Sequence, residues 1–327
     1  MPANILLGTS GFGYSDWQAR QEKTRIPFYP RNLSDSHRLA FYSEVFQTVE
    51  INTTFYHFPR TTVVNRWETN VPHDFIFSYK IPRVITHKKK LLDYWTDLER
   101  FLDIIQSGLR SKIGPALLQL PPKFSDNYFN QLRSFLKHWP SYLRLAVEFR
   151  DTSWVEHPRL NSMLELLTQH NIAYCIVDEP LLPPITPITA DFSYIRFHGH
   201  GLKPWYNYHY SLKELRSWVP KIQKLVKQPG LKEIFVYFNN HPHGHAPANA
   251  QQLAILLGTP LKKIESVNMV EVRKRAGASP QHSLEQFIDV SPVELHDYVR
   301  FCTNCGDMVL IHDNFCENCG HHLEKEL

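Results

Sequence analysis

No stretch of this 327-residue chain approaches the ~18 consecutive apolar residues of a membrane-crossing helix. Its first residues, Met1-Pro2-Ala3-Asn4, lack a basic segment, and the apolar run behind them is too short for a secretory leader. The expectation is a cytoplasmic protein with no membrane partner. Cysteine is scarce. Four of the five cysteines fall in two C-x-x-C pairs, which argues against a disulfide framework and for metal ligands. Net charge is small at +4, too little to imply nucleic acid by itself yet compatible with an anionic ligand. No internal repeat of fixed period appears beyond an alternation of strand and helix. The hydrophobic content of 43% is ordinary for a soluble domain, and the length suffices for one large domain plus an appendage.

What is present is a set of eight short apolar runs, over 5–10, 48–52, 75–80, 116–120, 145–150, 173–178, 194–199 and 234–240. Strands buried on both faces read as continuous apolar runs. Each of these ends in polar residues that a core strand does not need. Between them lie segments with apolar residues at helical spacing: 39–46, 94–105, 127–138, 160–170, 212–226 and 248–257. The alternation predicts an α/β chain folded as a (β/α)8 TIM barrel over residues 1–260, with its active site at the C-terminal ends of the strands. The aromatic segments 10–32 and 55–62 read as loops at that end. Residues 261–300 read as a linker with a short helix near Val293 to Arg300. Residues 301–322 read as a small separate module.

In that module Cys302, Cys305, Cys316 and Cys319 form two C-x-x-C-G knuckles. Four thiolates suit one tetrahedral, structural zinc with a closed shell, in the manner of a zinc ribbon. A ribbon of this size is a docking module for protein or nucleic acid. Cys175 lies in an apolar run and reads as core. No organic cofactor is expected.

The strand ends supply the barrel's candidate chemistry. Glu50 and Glu148 could serve as general acid and base if their environments split their pKa values, or each could be neutralised by Lys80, Arg150 or Arg196. Lys80 could hold an anion, act as a base or Schiff-base amine, or pair with Glu50. Arg196 and His198 alternate along one strand and so share a side. With the loop carrying Gly199 and Gly201, Arg196 is a candidate cradle for a phosphate or carboxylate, and His198 a candidate catalytic group. Gln119, Asp178, Asn239 and Asn240 could orient hydroxyls or a base edge. Trp17, Tyr56 and Trp154 offer rings for stacking on a sugar or base, or for loop packing. Glu148, Asp178, His198 and His241 are metal-ligand types, but they are too few for a multi-zinc cluster, and a barrel metal is not expected.

Several motifs occur together: Gly8-Thr9-Ser10-Gly11-Phe12-Gly13-Tyr14 with Trp17; Thr48-Val49-Glu50-Ile51-Asn52 with Thr54-Phe55-Tyr56; and Leu118-Gln119-Leu120-Pro121-Pro122. With them stand Glu148-Phe149-Arg150-Asp151 before Ser153-Trp154, Tyr194 with Arg196-Phe197-His198-Gly199, and Phe238-Asn239-Asn240-His241 with Ala246, Asn249 and Ala250. As an ordered set over roughly residues 1 to 258 they resemble the DUF72 (YecE-like, UPF0759) family. The resemblance implies a TIM barrel, which the strand count reaches separately, and implies no established activity. The family's loose grouping with sugar-isomerase-like and endonuclease-IV-like barrels is fold-level analogy. The favoured expectation is an enzyme acting on a small phosphorylated or anionic sugar-like substrate by carboxylate acid–base chemistry. The alternatives are a nucleic-acid-binding or processing protein using the aromatic loops, the 88–90 and 273–275 basic runs and the ribbon, and a non-catalytic adaptor.

Overall fold

Each of the eight apolar runs forms a strand in the computed structural model, which describes residues 2–19, 26–202, 204–259, 261–277, 299–301 and 308–310. The strands are Asn4–Thr9 (β1), Thr48–Ile51 (β2), Ile76–Lys80 (β3), Ile113–Gln119 (β4), Leu145–Glu148 (β5), Ala173–Asp178 (β6), Phe192–Phe197 (β7) and Glu233–Phe238 (β8). They form one parallel sheet in the order β1-β8-β7-β6-β5-β4-β3-β2. The ring is brought together between β1 and β2 by a parallel bridge, Ser10 to Glu50, in which Gly11 N–H donates to the Glu50 carbonyl at 2.8 Å. Gly8 permits this approach, since a Cβ there would lie 2.2 Å from the Thr48 carbonyl oxygen. The result is a nearly closed TIM-type barrel.

The outer layer is helical: Arg38–Val45 (α1), Thr53–Tyr56 (α2), Thr61–Thr69 (α3), Trp95–Leu109 (α4), Phe129–His138 (α5), Arg159–Gln169 (α6), Leu212–Val226 (α7) and His245–Leu257 (α8). Their apolar stripes face the sheet, as with Leu98, Phe101, Leu102 and Ile105 of α4. Ser211 starts α7 through a reciprocal capping box with Glu214. Residues 55–62, expected to be loop, contain the end of α2 and the start of α3. Val64 of α3 is fully buried, so a helix with one deep anchor lies where the aromatic run suggested none. Between β6 and β7 no described residue is helical.

The barrel interior is filled by Leu6, Leu117, Ala146, Cys175, Tyr194, Phe235 and Tyr237, among others. Cys175 is a buried free thiol of that core. Part of the expected linker belongs to the barrel. Residues Met269–Arg275 form α9, capped by the Asn268 side chain, with Val272 fully buried. Glu44 on α1 pairs with both Lys262 and Arg275. Most of the helix expected at 293–300 lies outside the described residues. There Val299–Phe301 (β9) pairs antiparallel with Met308–Leu310 (β10). All four cysteines of the C-terminal module also lie outside the described residues.

Candidate active site

Side chains alternate across a strand, so one inward residue fixes the next two positions along. Tyr237 OH lies 2.6 Å from Thr48 Oγ1 and 2.8 Å from Ser78 Oγ, and Tyr194 OH donates to Glu50 Oε2 at 2.7 Å. These cross-barrel bonds define the inward register. Two residues on from each stand Glu50, Lys80, Arg196 and Asn239. By the same step, Glu148 leads to Arg150, Arg196 to His198 and Val177 to Glu179.

The inward groups form a linked network. Arg196 donates through Nη2 to Glu50 Oε1 at 2.8 Å and through Nη1 to Glu148 Oε2. Ser10 Oγ donates to Glu50 Oε1 at 2.7 Å. Arg150 Nε donates to Glu148 Oε1 at 2.6 Å. His198 Nε2 sits 3.3 Å from both guanidinium groups and 3.5 Å from Glu148 Oε1, while its Nδ1 faces Asn239 Nδ2 at 3.1 Å. Glu50 and Glu148 are wholly buried and Arg196 is 1% exposed. Charges this deep persist only when paired and hydrogen-bonded. Burial pushes the Glu148 carboxyl up, but Arg196, Arg150 and His198 together hold it well below the usual range. Burial, the largest influence on His198, brings its imidazole down to about 4, so it is neutral at physiological pH.

Two groups stand outside this closed pairing. Lys80 Nζ makes no ion pair or hydrogen bond among the described residues, and it lies over the Phe55 ring, 4.3 Å from the centroid. Burial, and next the Arg196 charge, bring the Lys80 ammonium down to about 7 against the pull of Glu148 and Glu50. Glu179, which the sequence reading missed, is 5% exposed with Oε2 unpartnered. Burial raises its carboxyl to about 7, with Arg150 opposing and Glu148 adding. Its signal was in the pattern: Glu179 is two residues past inward Val177, whereas Asp178 faces the other way.

That one-residue difference reassigns several expected ligand-binding residues. Asp178 points outward, bonded to Trp218 Nε1 at 3.2 Å and His200 Nε2 at 3.1 Å. Asn240 also points outward, donating to Tyr208 O and Asn249 Oδ1, both at 2.8 Å, while adjacent Asn239 faces His198. Trp17 and Trp154 are fully buried, their indole N–H groups donating to the His241 and Phe124 carbonyls. Neither presents a stacking face, because each ring fills the base of its loop. Tyr56 keeps that capacity, being 60% exposed. Gln119 Oε1 is buried with no partner. Arg196 is tied through Nη1 and Nη2 to two carboxylates, and its Nε is buried without a partner among the described residues, so it is not open to a ligand at the mouth. The glycine loop is no cradle either: Gly199 N–H donates to Tyr210 OH and Gly201 N–H to the Trp205 carbonyl. Lys80 does not pair with Glu50.

The free positive charge lies instead around β3 and β5. The Arg150 side chain is one-fifth exposed with Nη1 unbonded. Exposed Arg83 opens a π-helical turn, Val84–Lys88, that carries His87. Burial and then the charges of Lys80, Arg83 and Arg150 bring His87 down to about 4. The same loop holds three non-glycine residues at positive φ, Lys90, Leu91 and Asp93. π-turns and such strained residues cluster at functional sites. On the opposite rim the His241 ring stacks between Tyr14, at 4.4 Å, and Tyr206, at 5.0 Å, joining the loops after β1, β7 and β8. Among the described residues no three His, Cys, Asp or Glu side chains are arranged to hold a metal ion.

Fold and strand-end chemistry together define a TIM-type (β/α)8 barrel with an ionised network buried under its C-terminal mouth. A family profile described as "Protein of unknown function DUF72" matches residues 6–274, and the chain belongs to that family. The UPF0759 protein YunF of Bacillus subtilis (strain 168) is 26% identical over 279 residues, 77% of this chain and 94% of that protein. A solved DUF72 family protein (TM1631) from Thermotoga maritima MSB8 superposes with a TM-score of 0.65 at 32% identity, covering 78% of this chain and 99% of that one. Another (EF0366), from Enterococcus faecalis V583, gives 0.62 at 25% identity over 78% of this chain and 98% of its own. No helix among the described residues is long and apolar enough to cross a membrane.

Proposed function

We propose that the barrel mouth is the active site of an enzyme acting on a small anionic, sugar-like substrate. The observation that carries this reading is the uncompensated positive charge at the ends of β3 and β5. Glu50 and Glu148 are satisfied by Arg196 and by Arg150 Nε, leaving Arg83 and the outer face of Arg150 without a counter-anion among the described residues. A guanidinium with free N–H groups suits a phosphate or carboxylate. Proton transfer falls in this reading to Glu179 rather than to the expected pair Glu50 and Glu148, both of which are tied to arginine. Glu148 is held ionised, whereas Glu179, raised to about 7, can take up and release a proton near neutrality, as an acid–base group must. Gln119 and Asn239 are placed to orient hydroxyls, and Tyr56 to cover a ring.

Calorimetric titration with inorganic phosphate and ribose 5-phosphate tests the reading. Arg150→Ala should weaken binding roughly tenfold and Arg83→Ala by a few fold. A folded wild-type protein that binds neither anion would sink the proposal. Retention of oligonucleotide with a steep salt dependence would instead favour nucleic acid, with exposed Tyr56, Arg83 and Lys88 as its contacts. For the C-terminal module we propose one structural zinc on Cys302, Cys305, Cys316 and Cys319, supported by their duplicated spacing, and a docking role for protein or nucleic acid. Metal analysis should find one zinc per chain in wild type and none in Cys305→Ser/Cys319→Ser. Zinc retained in that variant would refute the assignment.

A further inference from the structure

We infer that Lys80 is a nucleophilic amine that forms an imine with the carbonyl group of an anionic aldehyde or ketone bound at the barrel mouth. The inference rests on the proposed anion seat and goes further, since it names the substrate's second functional group.

The argument starts from a contrast between two lysines. Lys112, 6% exposed, is a buried lysine handled in the ordinary way: its Nζ lies 3.3 Å from Glu68 Oε1, donates to the Val71 carbonyl at 3.1 Å and also to the Glu68 carbonyl. Such an ammonium is tied down on every side by oxygen. Lys80 is only partly exposed at a strand end, yet no oxygen among the described residues binds its Nζ. It faces Glu148 and Glu50 beyond ion-pair distance, two guanidinium groups (Arg196 and Arg150), and the Phe55 ring, which in turn touches His87 at 4.9 Å. A structural lysine would have been given an oxygen. A lysine near two guanidinium groups and without an oxygen partner carries a substantial fraction of free amine at neutral pH, which is the nucleophilic form. Arg150, whose charge acts on Lys80, and Arg83, three residues along the chain, would seat the anionic end of the substrate and leave its carbonyl toward Nζ.

The step balances without any oxidant or reductant. The Nζ lone pair attacks the carbonyl carbon and the C=O π pair moves to oxygen. A proton passes from nitrogen to that oxygen, giving a carbinolamine. Protonation of its hydroxyl lets water leave as the nitrogen lone pair forms the C=N bond. Glu179, raised to about 7 and with Oε2 unpartnered among the described residues, would supply that proton.

The test uses two anionic aldehydes as reagents, pyridoxal 5′-phosphate and the much smaller glyoxylate. Sodium borohydride is added to reduce any imine to a stable secondary amine, and the modified lysine is located by peptide mass mapping of the full chain. At pH 7.5 Lys80 should label at least about tenfold faster than exposed Lys88, since a free amine fraction follows the pKa directly. Inorganic phosphate should slow it. Lys80→Arg, checked for folding by circular dichroism, should remove that label alone. Labelling of Lys80 no faster than Lys88 by both reagents, in protein shown to bind phosphate, would overturn the amine while leaving the anion seat standing. Rapid labelling of Lys80 that phosphate does not slow would overturn the anion seat and leave the amine.

Discussion

The two sides of the barrel mouth handle buried charge in opposite ways. Across β2, β5 and β7, Glu50, Arg196, Glu148 and Arg150 alternate in sign and satisfy one another within hydrogen-bonding distance. At the ends of β3 and β6, Lys80 and Glu179 are less enclosed, have no hydrogen-bond or ion-pair partner among the described residues, and are each driven toward the neutral form. Position at the C-terminal end of a strand does not by itself make a residue catalytic. The carboxylates of the paired set are taken up within it, so it acts as an ionised floor whose open donor toward the mouth is the outer face of Arg150. The unpaired set keeps its donors and acceptors and can change protonation near neutral pH, as reacting groups must.

The largest effect should come from breaking the floor. Arg196→Met leaves two fully buried carboxylates facing each other, and Glu148→Gln leaves Arg196 half-compensated. Removing one partner of a buried pair costs ~3–5 kcal/mol, because the remaining charge is stranded. Arg196→Met is expected at the upper end of that range in urea titrations and Glu148→Gln at the lower. The Glu148 contribution has a definite pH sense. Its carboxyl is depressed in the folded state, so its stabilisation is present above the unfolded carboxyl pKa and is lost as pH falls through the folded value. A floor that tolerates Arg196→Met with a loss under ~1 kcal/mol would erase the distinction between the two sides.

The barrel was legible in the sequence because its signal is repeated eight times. A strand buried on both faces must be apolar throughout, and the polar residues at its end mark the mouth. Membership of the mouth was legible for Glu50, Glu148, Arg150, Arg196 and His198, which share the inward register. It was misread wherever two polar residues sit side by side. Asp178 and Glu179, or Asn240 and Asn239, differ by one position, and that position sends one side chain to the mouth and its neighbour to the helical layer. The inward set below them, Cys175–Val177 and Phe235–Tyr237, carried the information needed to choose. Pairing was not legible. That Arg196 is consumed by two carboxylates, and that Lys80 has none, depends on distances across the barrel that no local pattern encodes. Trp17 and Trp154 failed for a related reason, since an aromatic in a loop is as well suited to plugging the loop's base as to meeting a ligand.

The smaller effects, and the sharper test, come from neutralising the unpaired groups one at a time. Lys80 has a folded pKa of about 7 against a reference of 10.5, so the charged form is penalised on folding. Its cost to stability is full below pH 7 and fades as pH rises toward 10.5. Glu179 has a folded value of about 7 against 4.5, so its cost is absent below pH 4.5 and full above pH 7. Lys80→Met should therefore stabilise the fold in mild acid and lose that advantage in alkali, whereas Glu179→Gln should do nothing in acid and stabilise above neutrality. After allowance for water access and relaxation each gain is ~1–2 kcal/mol, well below the loss expected at Arg196. The opposite pH slopes separate this from a packing effect, because a change in cavity or volume would shift stability by the same amount at every pH. Residues that destabilise the chain in their charged state are what a stability–activity compromise leaves at a working site. If instead both substitutions destabilise at all pH values, Lys80 and Glu179 have partners like the rest of the ring, and the two sides of the mouth are alike.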